Sequence, residues 1–278
     1  MPELPEVETI ARTLTPSVAK KRLCAVEVLN PGTWQGEVGP NLVCPQPRPI
    51  SGAGRRGKIL LLNFEAQDTG PDSIQGLAFH LKMSGKLFAY PSGTNPGKHT
   101  RAIFSLDDGS LLFFDDIRKF GYVRAITPNS LQNWPFWQKL GPEPFSLNAK
   151  QFTQLFHARK SAIKALLLDQ EVIAGIGNIY ADESLFRAGI HPATPGASIP
   201  EALLGKLHES LLEILQEAIA ACGSSIRDYR DAKGDAGSFQ NSFRVYGRAG
   251  QACLVCNTPL CHDRIAGRTT VFCKKCQP

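Results

Sequence analysis

The spacing of apolar residues at the start of the chain is that of an amphipathic helix. From Val7 to Leu14 an apolar side chain recurs every third or fourth residue, which places these side chains on one face. Pro5 suits the first helical position, and the acidic residues around it suit the positive end of the helix dipole. The pattern predicts a helix over residues 5–20.

From about residue 23 to residue 126 the pattern changes to short apolar stretches separated by Gly, Pro, Asn and Asp turns. Asp107-Asp108-Gly109 has the composition of a hairpin turn. Many short strands with little helix between them predict an antiparallel β-sandwich. The predicted strands are Leu23–Leu29, Ile59–Phe64, Gly76–Met83, Leu87–Tyr90, Arg101–Leu106, Leu111–Asp115 and Tyr122–Ile126.

The second half of the chain is predicted to be helical. A proline-rich stretch is expected to act as a linker, and helical spacing of apolar residues then continues to residue 222. The following stretch, 223–242, is rich in Gly, Ser and Asp and is predicted to be a mobile loop. We therefore expect a multidomain α+β protein with a β-sandwich and leading helix at 1–127, a linker at 128–148, a helical domain at 149–239 and a C-terminal module at 240–278.

Two C-x₂-C pairs separated by sixteen residues stand in the C-terminal module. Four thiolates at this spacing are typical of a closed, tetrahedral, structural Zn²⁺ site, with an iron–sulfur cluster as the less usual alternative. Residues 264–272 between the pairs alternate like a hairpin, with Gly267-Arg268 at or near its tip. The predicted ligands of one Zn²⁺ are Cys253, Cys256, Cys273 and Cys276.

The charge of the chain is concentrated in the same module. Of a formal net charge of +6, residues 240–278 hold six basic side chains against one acidic side chain. A compact basic module favours a polyanionic partner, most often nucleic acid, although a solubilising tail has the same composition. No apolar run has the length of a membrane helix, and the acidic, proline-rich start differs from a secretion signal. We expect a cytoplasmic protein, which agrees with cysteines used for something other than disulfides.

The amino terminus is a candidate reactive group. Methionine before proline is usually removed, which would leave Pro2 with a free secondary amine. Terminal amines have pKa values of about 7.7–8.0, so part of the population is unprotonated near neutral pH. Attack of such an amine on an aldehyde-type carbon gives an iminium ion, which permits elimination, and the adjacent Glu3 is a candidate acid or base.

Several motifs, in this order along nearly the whole chain, resemble those of the bacterial formamidopyrimidine-DNA glycosylases, also called 8-oxoguanine DNA glycosylases. The first is the opening Met1-Pro2-Glu3-Leu4-Pro5-Glu6-Val7-Glu8-Thr9, and the four-cysteine module is the last. Between them lie Gly57-Lys58, His80-Leu81-Lys82-Met83-Ser84-Gly85, Asp116-Ile117-Arg118-Lys119-Phe120-Gly121, Gly175-Ile176-Gly177-Asn178-Ile179-Tyr180-Ala181 and Val245-Tyr246-Gly247-Arg248.

The resemblance implies a monomeric base-excision-repair enzyme that binds damaged double-stranded DNA, with a helix–two-turn–helix motif and a zinc finger. It implies that Pro2 is the nucleophile and Glu3 the acid/base, that Lys58 transfers protons in β-elimination, and that Arg268 binds phosphate and assists δ-elimination. The segment Gly223–Tyr229 corresponds to the loop that closes over the flipped base. The implied DNA-binding residues are Met83, Arg118 and Phe120, which fill the hole left by that base, and His99, Arg159 and Asn178, which with Arg118 contact the backbone.

Two positions depart from the pattern or carry little information. Asn257 stands where the family has glycine after the second cysteine, which is expected to alter the finger turn, and Ser84 is given no weight. Three alternatives remain open: an endonuclease VIII-like enzyme for oxidised pyrimidines, a non-catalytic DNA-damage binding protein on the same scaffold, and a zinc-stabilised protein without a nucleic-acid role.

Overall fold

The structure, a computed structural model, describes residues 2–66, 69–226 and 229–278. The chain forms two compact units, Met1–Gln138 with Cys222–Ser238 and Lys139–Ala221 with Phe239–Pro278. Among the described residues, no helix has both the length and the apolar character that crossing a membrane requires.

The first unit begins with helix α1 (Leu4–Val18), which confirms the predicted N-terminal helix. Glu3 caps it in a reciprocal capping box with Glu6, so the first backbone N–H groups of the helix have side-chain acceptors. The apolar face of α1, from Leu4 to Val18, is buried against the sheet. Burial of this face and the cap together fix where the helix starts.

Eight antiparallel strands make up the sheet of the first unit's described residues, in the order β5-β7-β6-β1-β2-β3-β4-β8. The pairing of β1 with β2 has only two register pairs, Arg22 with Pro49 and Leu23 with Arg48. The strands are β1 (Arg22–Val28), β2 (Arg48–Arg56), β3 (Ile59–Phe64), β4 (Gly76–His80), β5 (Gly85–Tyr90), β6 (Thr100–Leu106), β7 (Leu111–Asp116) and β8 (Tyr122–Ile126).

Ring contacts show that the two halves of this sheet face each other. Phe79 on β4 has its ring centroid 5.3 Å from that of Phe104 on β6 and 5.9 Å from that of Phe114 on β7. In the strand order β4 and β6 are separated by β1, β2 and β3, so these rings meet only because the sheet bends over at the short β1–β2 junction. The arrangement confirms the predicted sandwich.

Strand β2 was not predicted from the sequence. Its residues, Arg48 to Arg56, include Pro and two Gly and lack a polar–apolar alternation. The strand forms because it pairs along its length with the apolar strand β3 and because the Thr15 hydroxyl of α1 accepts a hydrogen bond from Ala53 N at 3.1 Å. Its stability is therefore tertiary in origin.

The start of the predicted linker is helical and belongs to the first unit, which corrects the expectation of a loop. Helix α2 (Pro128–Gln132) is capped by Thr127, and helix α3 (Pro135–Gln138) follows it. Trp134 between them is buried against Tyr122, with ring centroids 6.2 Å apart. Three of the four prolines that suggested a linker, Pro128, Pro135 and Pro144, stand at the starts of helices or 3₁₀ turns, where their fixed φ and missing N–H cost little.

The second unit contains four helices and a hairpin in its described residues. The helices are α4 (Ala149–Phe156), α5 (Ile163–Leu168), α6 (Asn178–Ala188) and α7 (Glu201–Ala220), and the hairpin strands are β9 (Cys261–Ile265) and β10 (Arg268–Phe272). Short 3₁₀ turns lie at Pro144–Ser146, Gly196–Ser198 and Phe239–Ser242 in this unit and at Pro31–Thr33 and Pro40–Leu42 in the first. Arg187 on α6 forms ion pairs with Glu213 and Glu217 on α7 at 3.3 and 2.8 Å.

The segment after α7 packs in the first unit, although we assigned residues up to 239 to the helical domain. Ser224 N donates to Glu6 Oε1 at 2.8 Å, the Tyr229 hydroxyl donates to Glu6 O at 3.3 Å, and Ala232 N donates to Thr13 Oγ1 at 3.2 Å. All three acceptors lie on α1. Sequence spacing alone does not show such long-range contacts. Arg227 and Asp228 of the predicted base-closing segment lie outside the described residues.

Candidate catalytic residues and nucleic-acid interface

Pro2 and Glu3 are held at the start of α1, and both are buried. Glu3 N donates to Glu6 Oε2 at 2.9 Å, while the other oxygen of the same carboxylate accepts from Ser224 N. One buried carboxylate, that of Glu6, therefore ties the backbone beside Pro2 to the segment after α7. The reactive amine requires removal of Met1, and Met1 lies outside the described residues.

Lys58 lies in the tight turn between β2 and β3 and is buried, with 7% of its surface exposed. A lysine is seldom so deeply buried without a specific environment, which argues against a merely solvated basic turn. Its neighbour Ile59 pairs with His80 on β4. Burial, and then the positive charges of Lys82 and Lys58, lower the pKa of His80 to about 3, so this imidazole is neutral at neutral pH.

Met83 and Phe120 project from two neighbouring loops and are exposed at 45% and 56% of their surfaces. The guanidinium of Arg118 lies 4.9 Å from the centroid of the Phe120 ring, within cation–π range. Large apolar side chains exposed beside a cation are unusual on a folded surface and have the character of a contact site. The structure thus excludes core packing for Met83 and Phe120.

A buried carboxylate, that of Asp116, organises these two loops. It accepts from Ser84 Oγ at 2.5 Å, Arg118 N at 3.1 Å and Gly121 N at 2.7 Å. Ser84 also accepts from Arg118 N at 3.1 Å, so it links the Met83 loop to the Arg118 loop. Ser84 was given no weight from the sequence. Its partner lies 32 residues away, and no local pattern indicates the contact.

Gly121 closes the same loop at a crowded position. A Cβ there would lie 2.8 Å from Phe114 Cζ and 3.1 Å from Asp116 Oδ2, so no larger residue fits without movement. His99 lies at the base of this region, where its carbonyl accepts from Asp116 N at 2.9 Å. Its Nδ1 is buried and has no partner among the described residues.

In the second unit, Arg159 is exposed after α4, whereas Asn178 is held at the first residue of α6. The amide of Asn178 donates to Thr269 O in the hairpin at 3.0 Å, so it is already committed to a protein acceptor. Its Oδ1 is buried without a partner in the described part of the chain. The geometry connects Asn178 to the finger, a connection that its position in a helix-start motif did not predict.

The four predicted metal ligands come together, with their Sγ atoms all within 4.8 Å of one another. The Sγ atoms of Cys256 and Cys273 lie 3.4 Å apart, and those of Cys253 and Cys276 lie 3.9 Å apart. Tetrahedral Zn²⁺ with Zn–S bonds of about 2.3 Å requires sulfur separations of about 3.8 Å. The donor set therefore fits a structural zinc.

Asn257, which was expected to alter the finger turn, is accommodated in it by its backbone conformation. It adopts a left-handed φ of 59°, and its N–H donates to Cys253 O at 2.9 Å. Asparagine tolerates this conformation better than other residues with a side chain. At the other end of the finger, Ala266 and Gly267 have φ values of 49° and 71° and form the hairpin turn, which leaves Arg268 exposed at the start of β10.

Comparisons with known proteins agree with this arrangement. A family model described as "Formamidopyrimidine-DNA glycosylase N-terminal domain" matches residues 1–123, and one described as "Formamidopyrimidine-DNA glycosylase H2TH domain" matches residues 140–230. A formamidopyrimidine-DNA glycosylase of Nitratidesulfovibrio vulgaris is 43% identical, with all of both chains covered.

Solved structures of similar proteins cover nearly the whole chain. The MutM (Fpg) protein of Thermus thermophilus matches with a TM-score of 0.86 at 38% identity, covering 99% of this chain and 98% of that one. Lactococcus lactis Fpg, in a complex with DNA containing N7-benzyl-Fapy-dG, matches with a TM-score of 0.88 at 33% identity and 99% coverage of both chains. The same protein has been solved with DNA containing an oxidized pyrimidine. The family models and the full-length identity show that this chain belongs to the formamidopyrimidine-DNA glycosylase family.

Proposed function

We propose that this enzyme removes oxidised purines, 8-oxoguanine and formamidopyrimidines, from double-stranded DNA and then nicks the strand by β,δ-elimination. The observation that carries the proposal is the buried Pro2-Glu3 pair at the capped start of α1. A nucleophile held in one position reacts with a smaller entropic cost than one on a flexible terminus. Family membership supports the glycosylase activity, and the individual steps of base release and strand cleavage are our proposal for this chain.

The first step of the proposed reaction is exchange of the base for the protein amine. With Met1 removed, the Pro2 nitrogen bonds to the deoxyribose C1′, the glycosidic bond breaks and the base leaves with a proton. Glu3 protonates the ring oxygen as the sugar opens, which gives an iminium ion between Pro2 and C1′.

Strand cleavage then follows from the acidity that the iminium ion gives the sugar. Loss of a C2′ proton, which Lys58 transfers, breaks the C3′–O bond and releases the 3′-phosphate. Loss of the C4′ proton breaks the C5′–O bond and releases the 5′-phosphate, and Arg268 binds this departing phosphate. Water hydrolyses the remaining imine and regenerates Pro2.

The enzyme reaches C1′ by turning the damaged nucleotide out of the duplex, at a cost of a few kcal/mol. We propose that Met83 and Phe120 fill the space left in the stack and that Arg118 pairs with the widowed base. The exposure of these side chains and the hydrogen bonds that tie their two loops to the Asp116 carboxylate support this role. His99, Arg159 and Asn178 are proposed to contact the DNA backbone.

The four cysteines are proposed to hold one structural Zn²⁺, which closes the base of the hairpin that bears Arg268. The ion supplies rigidity and no reaction step. The turned-out base is proposed to lie against the segment that includes Ser224 and Tyr229, which Glu6 ties to α1.

Borohydride reduction during the reaction tests the proposal. With duplexes that contain 8-oxoguanine or an abasic site, we expect a covalent DNA adduct that mass spectrometry maps to Pro2. The matched control is a chain with Gly-Ser added before Pro2, which turns the amine into an amide and should form no adduct. An intact mass that includes Met1, or an adduct on another residue, would contradict the mechanism.

Substrate choice needs a separate measurement because a relative has been solved with an oxidized pyrimidine in its DNA. We expect faster excision of 8-oxoguanine than of thymine glycol from otherwise identical duplexes. The reverse order would favour the endonuclease VIII-like alternative. Unchanged damage binding with no excision of either base would favour a binding-only protein.

A further inference from the structure

Lys164, the second residue of α5, is completely buried, and the proposed reaction does not use it. Its Nζ forms an ion pair with Asp182 Oδ1 on α6 at 2.6 Å, and the Asp182 side chain is also buried. Removing two such charges from water is costly, and replacing a buried ion pair by apolar side chains is often neutral or stabilising. Such a pair is therefore weak evidence for a stabilising role. The other contacts of its two side chains indicate what it does.

Further contacts of both side chains lead to the finger hairpin. Lys164 Nζ donates to Thr270 Oγ1 at 2.7 Å, and Thr269 O lies 3.5 Å from the same nitrogen. Asp182 Oδ2 accepts from Val271 N at 3.3 Å. Three consecutive hairpin residues are thus bound by one buried ion pair in the helical part of the same unit.

The hydroxyl of Thr270 has its direction fixed by this arrangement. An ammonium group has no acceptor, so Thr270 Oγ1 must accept the hydrogen from Lys164. Its own hydrogen is left for the carbonyl of Arg268, which lies 3.2 Å away. A chain of polar contacts, one ion pair followed by two hydrogen bonds, therefore runs from Asp182 through Lys164 and Thr270 to the backbone of Arg268.

The metal site alone does not fix Arg268 in this way. Arg268 precedes Cys273, the ligand that directly follows β10, by five residues, a distance of about 16 Å along an extended strand. A two-stranded hairpin is only marginally stable by itself. The amide of Asn178 adds a second anchor, at 3.0 Å from Thr269 O, one residue from Arg268.

We propose that Thr270, Lys164 and Asp182 are positioning residues that fix the backbone of Arg268 and so set the efficiency of the second, δ, elimination. The inference rests on the role proposed above for Arg268. The three residues need not touch DNA, because they act through Arg268. Their loss is expected to affect the δ step while the Schiff base at Pro2 still forms.

Two substitutions at one position separate the hydroxyl from its packing. Thr270→Val keeps the shape of the side chain and removes the hydroxyl, whereas Thr270→Ser keeps the hydroxyl and removes a methyl group. Under single turnover on DNA with a preformed abasic site, the measured quantity is the ratio of the δ- to the β-elimination rate. We expect Thr270→Val to lower this ratio about tenfold, which is the factor for the loss of one hydrogen bond to a charged group, here the Lys164 ammonium. Thr270→Ser should stay close to wild type, and Arg268→Ala sets the lower limit.

Borohydride trapping and zinc content are measured on every variant. Equal ratios in all three Thr270 forms, or a larger loss in Ser than in Val, would overturn the positioning role. Absence of any Pro2 adduct in the wild type would instead contradict the proposed function. If Thr270→Val fails to retain zinc, the double variant Lys164→Met/Asp182→Leu removes the chain of bonds from its other end, and a wild-type ratio there would also overturn the inference.

Discussion

Acidification should destabilise the first unit of this protein through His80. The ring is buried between Tyr122 and Phe136, with centroids 5.4 and 5.6 Å away, and its Nδ1 accepts from Lys82 N at 3.1 Å. Burial, followed by the charges of Lys82 and Lys58, lowers the pKa of His80 to about 3 from an ordinary value of 6.5. Protonation in the folded state would place a third cation in this site.

The direction and size of this change in stability follow from proton linkage. In the unfolded chain His80 takes up a proton near pH 6.5, and in the folded chain only near pH 3. Between these values the unfolded state binds more protons, so stability is complete above pH 6.5 and falls as the pH falls. From pH 7 to pH 5 the loss of unfolding free energy from this one pKa difference is about 2 kcal/mol.

The assay is urea unfolding followed by tryptophan fluorescence at pH 7 and pH 5. All three tryptophans, Trp34, Trp134 and Trp137, belong to the first unit, so their emission reports on that unit. His80→Gln, which stays neutral, should lose about 2 kcal/mol less than wild type over this interval. His157→Gln, at an exposed histidine of the second unit, is the control and should behave as wild type. Equal losses in wild type and His80→Gln would refute the argument from burial.

Three further outcomes follow from other contacts. Ser84→Ala removes one donor to Asp116 and should cost about 1 kcal/mol, with slower excision from duplex DNA; urea unfolding and single-turnover rates check this. Cys273→Ala should lose zinc and damaged-DNA binding while tryptophan fluorescence of the first unit is unchanged, and normal cleavage by this variant would contradict the role of the finger. Lys164→Met alone leaves the Asp182 carboxylate buried and should cost about 3–5 kcal/mol, most of which Asp182→Leu should restore in the double variant, as thermal unfolding by circular dichroism can show.

The parts of the fold that the sequence predicted are those whose signal is local. Helix α1 carries its own cap and apolar spacing, and β3 spans the predicted Ile59–Phe64 because its side chains are apolar on both sides. Strand β2 has no such pattern and exists through pairing with β3. The prolines of α2 and α3 were interpreted as linker residues because a proline at a helix start and a proline in a loop look alike in sequence.

The residues of the candidate site also divide into those with a local sequence signal and those without one. The four cysteines carry their spacing in the sequence, and the structure brings their sulfur atoms together. Asp116 holds Ser84 across 32 residues, and Lys164 holds Thr270 across 106, separations at which no periodic pattern operates. Residues that position others are therefore harder to identify from sequence than residues that carry distinctive chemistry.

The finger illustrates why residues with distinctive chemistry and residues that position them are both required. Metal ligation orders the thiolates at the base of the hairpin, but Arg268 stands beyond them at the start of β10 and is exposed. An exposed arginine on a short hairpin has many rotamers, and ordering it on a phosphate costs entropy. Fixing its backbone through Thr270 removes part of that cost before DNA arrives, because only the side chain remains to be ordered. Zinc and the buried ion pair therefore have separable effects: loss of zinc should abolish binding, whereas loss of the Thr270 hydroxyl should weaken binding only slightly, because the other DNA contacts remain, and should slow the δ elimination.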